Sequence, residues 1–140
     1  MSDFSAFMAG NATDDIVKYV ASKRFTNGGK PIEWEIKSID SDLDEALRKE
    51  CTKRVPIPGK RGQYNQETDT DKYIGKLCVA CTVYPNLNDA ALQDSYGVKS
   101  AEALLKKMLK PGEYTDFKAK VMEINGYDLS MEELVDEAKN

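Results

Sequence analysis

The chain reads as an α+β protein, with an N-terminal β-hairpin followed by a bundle of four or five short helices. Three observations predict this. Ile32, Trp34 and Ile36 alternate with Glu33, Glu35 and Lys37, the period of two that gives a strand one apolar and one charged face. Downstream, capping residues, apolar stripes at helical spacing and Pro or Gly stops follow one another to the end of the chain. The length of 140 residues and 41% apolar content suit one domain with a proper core.

Residues 1–15 read as a flexible lead-in with Phe4, Phe7 and Met8 as its few anchors, and residues 16–140 as the single domain. The strand partner for 32–36 is Tyr19–Phe25, joined to it through Asn27-Gly28-Gly29-Lys30, because paired glycines reach positive φ without steric cost. That turn sets Phe25 opposite Ile32, Arg24 opposite Glu33, Lys23 opposite Trp34 and Ala21 opposite Ile36. Trp34 then faces the helices with Phe25, Ile32 and Ile36.

Ser41 is placed to cap the first helix. Acids (Asp42, Asp44, Glu45) sit in its first turn and Lys53 and Arg54 in its last, each sign favourable to the helix dipole. Leu43, Leu47, Cys51 and Val55 form its buried stripe, and Pro56 ends it. Pro56 to Thr68 reads as the main loop. A second helix is expected from Asp71 to Tyr84, stopped by Pro85. Asn88 is read as the cap of a short helix ended by Gly97, and Ser100 as the cap of another that ends near Lys110-Pro111-Gly112. Phe117, Val121 and Ile124 mark a further helix closed by Asn125-Gly126. Ser130-Met131-Glu132-Glu133 is a capping box with Leu129 and Leu134 as its hydrophobic staple.

Little here performs chemistry unaided. The chain has no histidine, and no spacing of carboxylates, lysines or tyrosines singles out an acid–base pair, so no catalytic residue, metal site or cofactor is expected. Cys78-Val79-Ala80-Cys81 is a CxxC, but it falls late in an apolar helix rather than at a helix N-terminus, and four zinc ligands are lacking. Burial explains the pair better than reactivity. Asp40/Asp42/Asp44 and Asp69/Asp71 lack the glycine and distal glutamate of a calcium loop and read as helix-start acids. The net charge of −4 opposes general nucleic-acid binding. The basic stretch Arg48, Lys49, Lys53, Arg54, Lys60 and Arg61 is interleaved with or adjacent to acids and reads as a solvated face and loop. The longest apolar run, Leu77 to Cys81, is far too short to span a bilayer. The acidic start Met1-Ser2-Asp3-Phe4 and an odd cysteine count fit an unexported protein with free thiols.

The densest apolar group lies between Tyr84 and Tyr114. Taken singly, each of its members reads as core. Taken together, Leu87, Leu92, Tyr96, Leu105, Met108, Leu109 and Tyr114 (with Leu104 beside them) exceed what short helices are expected to bury, which makes an exposed partner-binding groove the expectation.

The same stretch carries a family resemblance. Tyr84-Pro85-Asn86-Leu87, Leu92-Gln93-Asp94-Ser95-Tyr96-Gly97, Leu104-Leu105, Met108-Leu109, Gly112-Glu113-Tyr114 and Ile124-Asn125-Gly126 resemble the XkdN-like phage tail assembly chaperones. So do Ser22-Lys23-Arg24-Phe25, Gly29 through Ile36 and the acidic helix ending near Cys51. The resemblance implies a small non-catalytic protein of the infected or lysogenic bacterium. It would bind the tape measure protein in the host cytoplasm while the tail tube assembles, and be absent from the finished virion. The tail tube protein and a second copy of the chain are further candidate partners; nucleic acid and membrane are not. Two other readings stay open beside it, a cytoplasmic thiol-redox protein using Cys78 and Cys81, and a nucleic-acid-associated regulator using the 48–61 segment.

Overall fold

The computed structural model describes residues 4–10, 12 and 15–127. Its framework is an antiparallel sheet of three strands, β1 (Val17–Tyr19), β4 (Trp34–Ile36) and β7 (Thr82–Tyr84), in the order β1-β4-β7. Between β1 and β4 lies a tight ribbon, β2 (Thr26–Asn27) and β3 (Lys30–Pro31). The helices are α1 (Ser41–Glu50), α2 (Thr70–Cys81), α3 (Ala90–Ser95), α4 (Ala101–Met108) and α5 (Pro111–Ile124). A second ribbon, β5 (Thr52–Pro56) with β6 (Tyr64–Thr68), separates α1 from α2. The α+β class and the five α-helices among the described residues agree with the sequence expectation.

The expected hairpin turn is present. Gly28 and Gly29 take φ of +62° and +80°, and Ile32 N–H donates to the Phe25 carbonyl at 2.8 Å, so Phe25 does oppose Ile32. Beyond that pair the expected register fails. Trp34 faces Tyr19 rather than Lys23, Glu35 faces Lys18, and Ile36 faces Val17 rather than Ala21. Residues 20–24 leave the ladder to make tertiary contacts: Ala21 and Ser22 are buried, and the Arg24 guanidinium donates to the Met108 carbonyl. The slip from Lys23 to Tyr19 is an even number of residues, so it changes partners without turning side chains to the other face. Trp34 and Ile36 therefore point into the core as expected, at 1% and 0% exposure.

Other boundaries also move. The cap of α1 is Asp40, whose Oδ1 accepts from Leu43 N–H at 2.8 Å, and the helix stops at Cys51 instead of Val55. Thr52, Val55 and the Tyr64–Thr68 run favour extended structure, and the expected helix end and main loop together form a β-ribbon whose ends meet through a Thr52–Thr68 hydroxyl contact of 2.8 Å. Leu43, read as part of a buried stripe, is 42% exposed. Likewise α2 ends at Cys81, and Thr82-Val83-Tyr84 form an edge strand, because β-branched residues before a proline disfavour helix. The Tyr84–Pro85 peptide is cis. Asp89, one residue past the expected Asn88, caps α3 by accepting from Leu92 N–H at 2.8 Å. Phe4, Phe7 and Met8 are exposed rather than anchored. The capping box at Ser130–Glu133, with Leu129 and Leu134, lies outside the described residues.

The core forms where α2 meets α1, α4, α5 and β7. Trp34 packs edge-on against Phe117 of α5 at 5.5 Å between ring centroids, with Tyr19 on the same ring at 6.0 Å. Ile36, Leu77, Leu104, Leu105 and Val121, with Cys78 and Cys81, are fully buried beside them. Burial of each such side chain contributes about 1.5–3 kcal/mol before conformational entropy is counted. Two helix ends are closed by matching glycine motifs. After α3, Gly97 (φ +68°) and Val98 donate to the Asp94 and Gln93 carbonyls; after α5, Gly126 (φ +88°) and Tyr127 donate to Glu123 and Met122.

Candidate partner-binding surface

The segment from Pro85 to Tyr114 is built from its turns outward. Asn86 Oδ1 accepts from Asn88 N–H at 3.1 Å, and Gln93 Nε2 donates to the Leu87 carbonyl at 2.8 Å, which fixes Leu87 inward. Ser100 caps α4 as expected, accepting from Ala103 N–H at 3.1 Å. At the α4–α5 junction Glu113 reaches back to the Lys110 amide at 2.8 Å and lies 4.0 Å from Arg24. The excursion at residues 20–24 and this junction thus hold each other in place.

These contacts decide where the seven candidate residues go. Leu87, Leu105, Met108 and Leu109 are buried in the core; Leu92, Tyr96 and Tyr114 are half-buried and pack against its margin. The exposed groove expected from all seven is therefore not formed by the chain alone. The central position of α2, flanked by several helices, lets α4 bury more apolar surface than its length suggested. Tyr114 sits against Gly75 of α2, where a Cβ would lie 3.7 Å from the tyrosine oxygen. Burial pushes the Tyr114 phenol up to about 12. The sequence reading missed Val83 and Tyr84, which are 41% and 48% exposed on the strand that feeds this segment. Their signal was the β-branched and aromatic triplet before Pro85.

The thiols have no reactive geometry. Cys78 and Cys81 are fully buried near the C-terminal end of α2, and Cys51 is buried at the end of α1. Burial pushes Cys78 up to about 12 and also raises Cys81, although the Asn125 amide, 3.4 Å from Cys81 Sγ, works the other way. Cys78→Ala and Cys81→Ala should each cost on the order of 1 kcal/mol, as packing changes do. Thiol titration of the native protein at neutral pH should leave both unmodified until denaturant is added.

Of the basic stretch, Arg48 is engaged within the fold. It pairs with Asp44 at 3.0 Å, lies over the Tyr73 ring at 4.2 Å and donates to Tyr127 Oη at 3.1 Å. Asp44 also accepts from the Tyr73 hydroxyl. Burial alone would raise the Asp44 carboxyl, but the hydrogen bonds from Tyr73 and Arg48 outweigh it and hold it below the usual carboxylate range. Glu113 is also held low, first by the Lys110 amide and then by Ser22. Both carboxylates bind a proton less readily folded than unfolded. Their stabilisation is fully present above the unfolded carboxylate range, near pH 4–5, and is lost as pH falls through the lower folded values. Denaturant titrations from pH 7 to pH 3 should find Asp44→Asn and Glu113→Gln less stable at neutral pH and less acid-sensitive than the parent.

Asp40 and Asp69, read as helix-start acids rather than calcium ligands, are helix caps, Asp69 Oδ1 accepting from Lys72 N–H at 3.1 Å. Among the described residues no group of three or more His, Cys, Asp or Glu is placed to hold a metal ion, and no helix is long and apolar enough to cross a membrane.

Known proteins share this arrangement. The chain is 33% identical to the uncharacterized protein YqbN of Bacillus subtilis (strain 168), over 99% of this chain and 93% of YqbN. It is 30% identical to XkdN of the phage-like element PBSX of the same organism, over 99% of this chain and 94% of XkdN. A crystal structure of YqbN superposes with a TM-score of 0.76 at 29% identity, covering 91% of this chain and 99% of that one. The profile of the phage XkdN-like tail assembly chaperone proteins matches residues 4–139. With nearly its whole length matched, the chain belongs to the XkdN-like family of phage tail assembly chaperones.

Proposed function

We propose that this chain is a non-catalytic chaperone that binds the tape measure protein in the host cytoplasm while the tail tube assembles, and that it leaves before the virion is complete. The observation that carries this reading is the family match over residues 4–139. The side chains agree with it. The cysteines are buried with raised pKa values, and the cationic Arg48 is spent on an internal network with Asp44 and Tyr73. What the fold offers outward is surface for another protein. Its apolar part includes Leu92, Tyr96 and Tyr114 at the core margin, with Val83 and Tyr84 on the preceding strand. An amphipathic helix recognised through anchors three and four residues apart suits such a surface, and covering that helix prevents its self-association. The tail tube protein is a second candidate partner on the same reasoning.

Deletion of the gene from its phage or prophage tests this. Induced cells should lack assembled tails while capsids still form, and a copy expressed in trans should restore them. Mass spectrometry of the finished particles should then find no trace of the chain. Normal tails in the deletion, or stoichiometric chain in the virion, would contradict the proposal.

A further inference from the structure

The β5–β6 ribbon has one guarded edge and one open edge. Ile57 N–H donates to the Gln63 carbonyl at 3.1 Å, and Asp69 N–H donates to the Cys51 carbonyl at 2.8 Å. With the register Thr52↔Thr68 through Pro56↔Tyr64, antiparallel alternation makes Lys53/Glu67 and Val55/Asn65 the hydrogen-bonded pairs. The intervening pairs, Thr52/Thr68, Arg54/Gln66 and Pro56/Tyr64, turn their backbone groups outward. On the β5 side Pro56 has no N–H to offer, a usual way of blunting an edge. On the β6 side Tyr64, Gln66 and Thr68 each present a free N–H and C=O. Among the described residues no strand pairs with that edge, and every residue of β6 is exposed, Tyr64 at 49%.

A two-stranded ribbon whose β6 is exposed throughout and whose β5 is half-covered only at Thr52 and Val55 is short of partners, since independent stability takes a third strand or packing. Charge indicates which partner. Residues 52–68 carry Lys53, Arg54, Lys60 and Arg61 against Glu67, a net of +3 in a chain whose net charge is −4. A second copy pairing β6 with β6 would bring two such ribbons together and be repelled. A long polyanion such as nucleic acid would extend past the ribbon onto the acidic remainder of the chain. A short acidic segment meets only the cations. We propose that the outer edge of β6 is a docking site for an acidic, extended segment of a partner protein, which adds as a third strand beside Tyr64, Gln66 and Thr68. Main-chain hydrogen bonds supply the affinity, and Arg54, Lys60 and Arg61 select acidic side chains. The site holds whether or not its natural partner is the tape measure protein.

The test is amide hydrogen exchange by NMR on the full chain, with a short synthetic peptide alternating Glu and Thr and a control carrying Lys in place of Glu. The Glu peptide should slow exchange at Tyr64, Gln66 and Thr68 and the Lys peptide should not. Gln66→Pro removes an outward N–H while sparing the β5–β6 ladder, and should abolish the effect. The double change Lys60→Glu with Arg61→Glu lies in the exposed turn and should weaken binding roughly tenfold. It decides the matter if Gln66→Pro disturbs the ribbon. The proposal is overturned if the Glu peptide protects none of the three amides, or if the turn double variant binds it unchanged. It is also overturned if protection appears without peptide as protein concentration rises, which would make the occupant a second copy. Protection by a single-stranded DNA oligonucleotide in place of the peptide would overturn it in favour of nucleic acid.

Discussion

Trp34→Ala should destabilise the protein by roughly 3–5 kcal/mol, the range for a large aromatic removed from a core. Trp34 is 1% exposed, meets Phe117 edge-on at 5.5 Å and Phe25 at 6.5 Å, and sits on the central strand of the sheet. The cavity would open where the sheet meets α5, with Tyr19 also losing support through Phe117. Domains of this size carry only about 5–15 kcal/mol in total, so one substitution removes a large share. Urea denaturation followed by circular dichroism measures the loss. A native fluorescence maximum typical of water-exposed tryptophan, or a loss below about 1 kcal/mol, would show that Trp34 is not the keystone described.

Leu105→Asp should be worse and should abolish folding. Leu105 is 0% exposed, so the variant must bury an unpaired carboxylate or open the α4 interface; either costs several kcal/mol on top of the lost packing. Leu92→Asp, at the half-buried margin, should remain folded and lose only about 1 kcal/mol. The contrast separates core from surface within one apolar group. Circular dichroism and thermal melts of both variants read it directly. A folded Leu105→Asp protein would mean that the buried assignment of α4 is wrong.

That group shows where a sequence stops being informative. Leu, Met and Tyr at helical spacing identify apolar stripes, but whether a stripe meets a neighbour or solvent depends on which helix is central. Nothing local marks α2 as the helix against which α1, α4 and α5 all pack. The hairpin teaches a related lesson. Gly28-Gly29 and the alternation around Trp34 identified the turn and the buried face, because both are local properties. The pairing partners were lost because residues 20–24 leave the ladder, Ala21 and Ser22 to be buried and Arg24 to reach the Met108 carbonyl and Glu113 far along the chain. Caps were legible to within a residue, Asp40 for Ser41 and Asp89 for Asn88, since adjacent polar residues compete for one role. Of the β5–β6 ribbon, residues 52–55 were read as the end of a helix because Val55 falls in the four-residue apolar repeat, and residues 56–68 as loop because prolines and glycines dominate the turn and the exposed Tyr64–Thr68 strand has no apolar face to give it a period. Of the candidate site, Leu92, Tyr96 and Tyr114 remain accessible, and the exposed Val83 and Tyr84 were hidden inside what looked like the end of a helix.

The most direct test of the chaperone account is co-expression of the tagged chain with the tape measure protein encoded by the same phage or prophage. Affinity capture would be followed by size-exclusion chromatography with light scattering. The tape measure protein should be insoluble alone, become soluble with the chain and co-elute with it in a complex that survives raised salt, because an apolar contact is little screened. Folded Leu92→Asp and Tyr96→Asp variants should lose that complex. A tape measure protein that is soluble without the chain and never co-elutes with it would contradict the account.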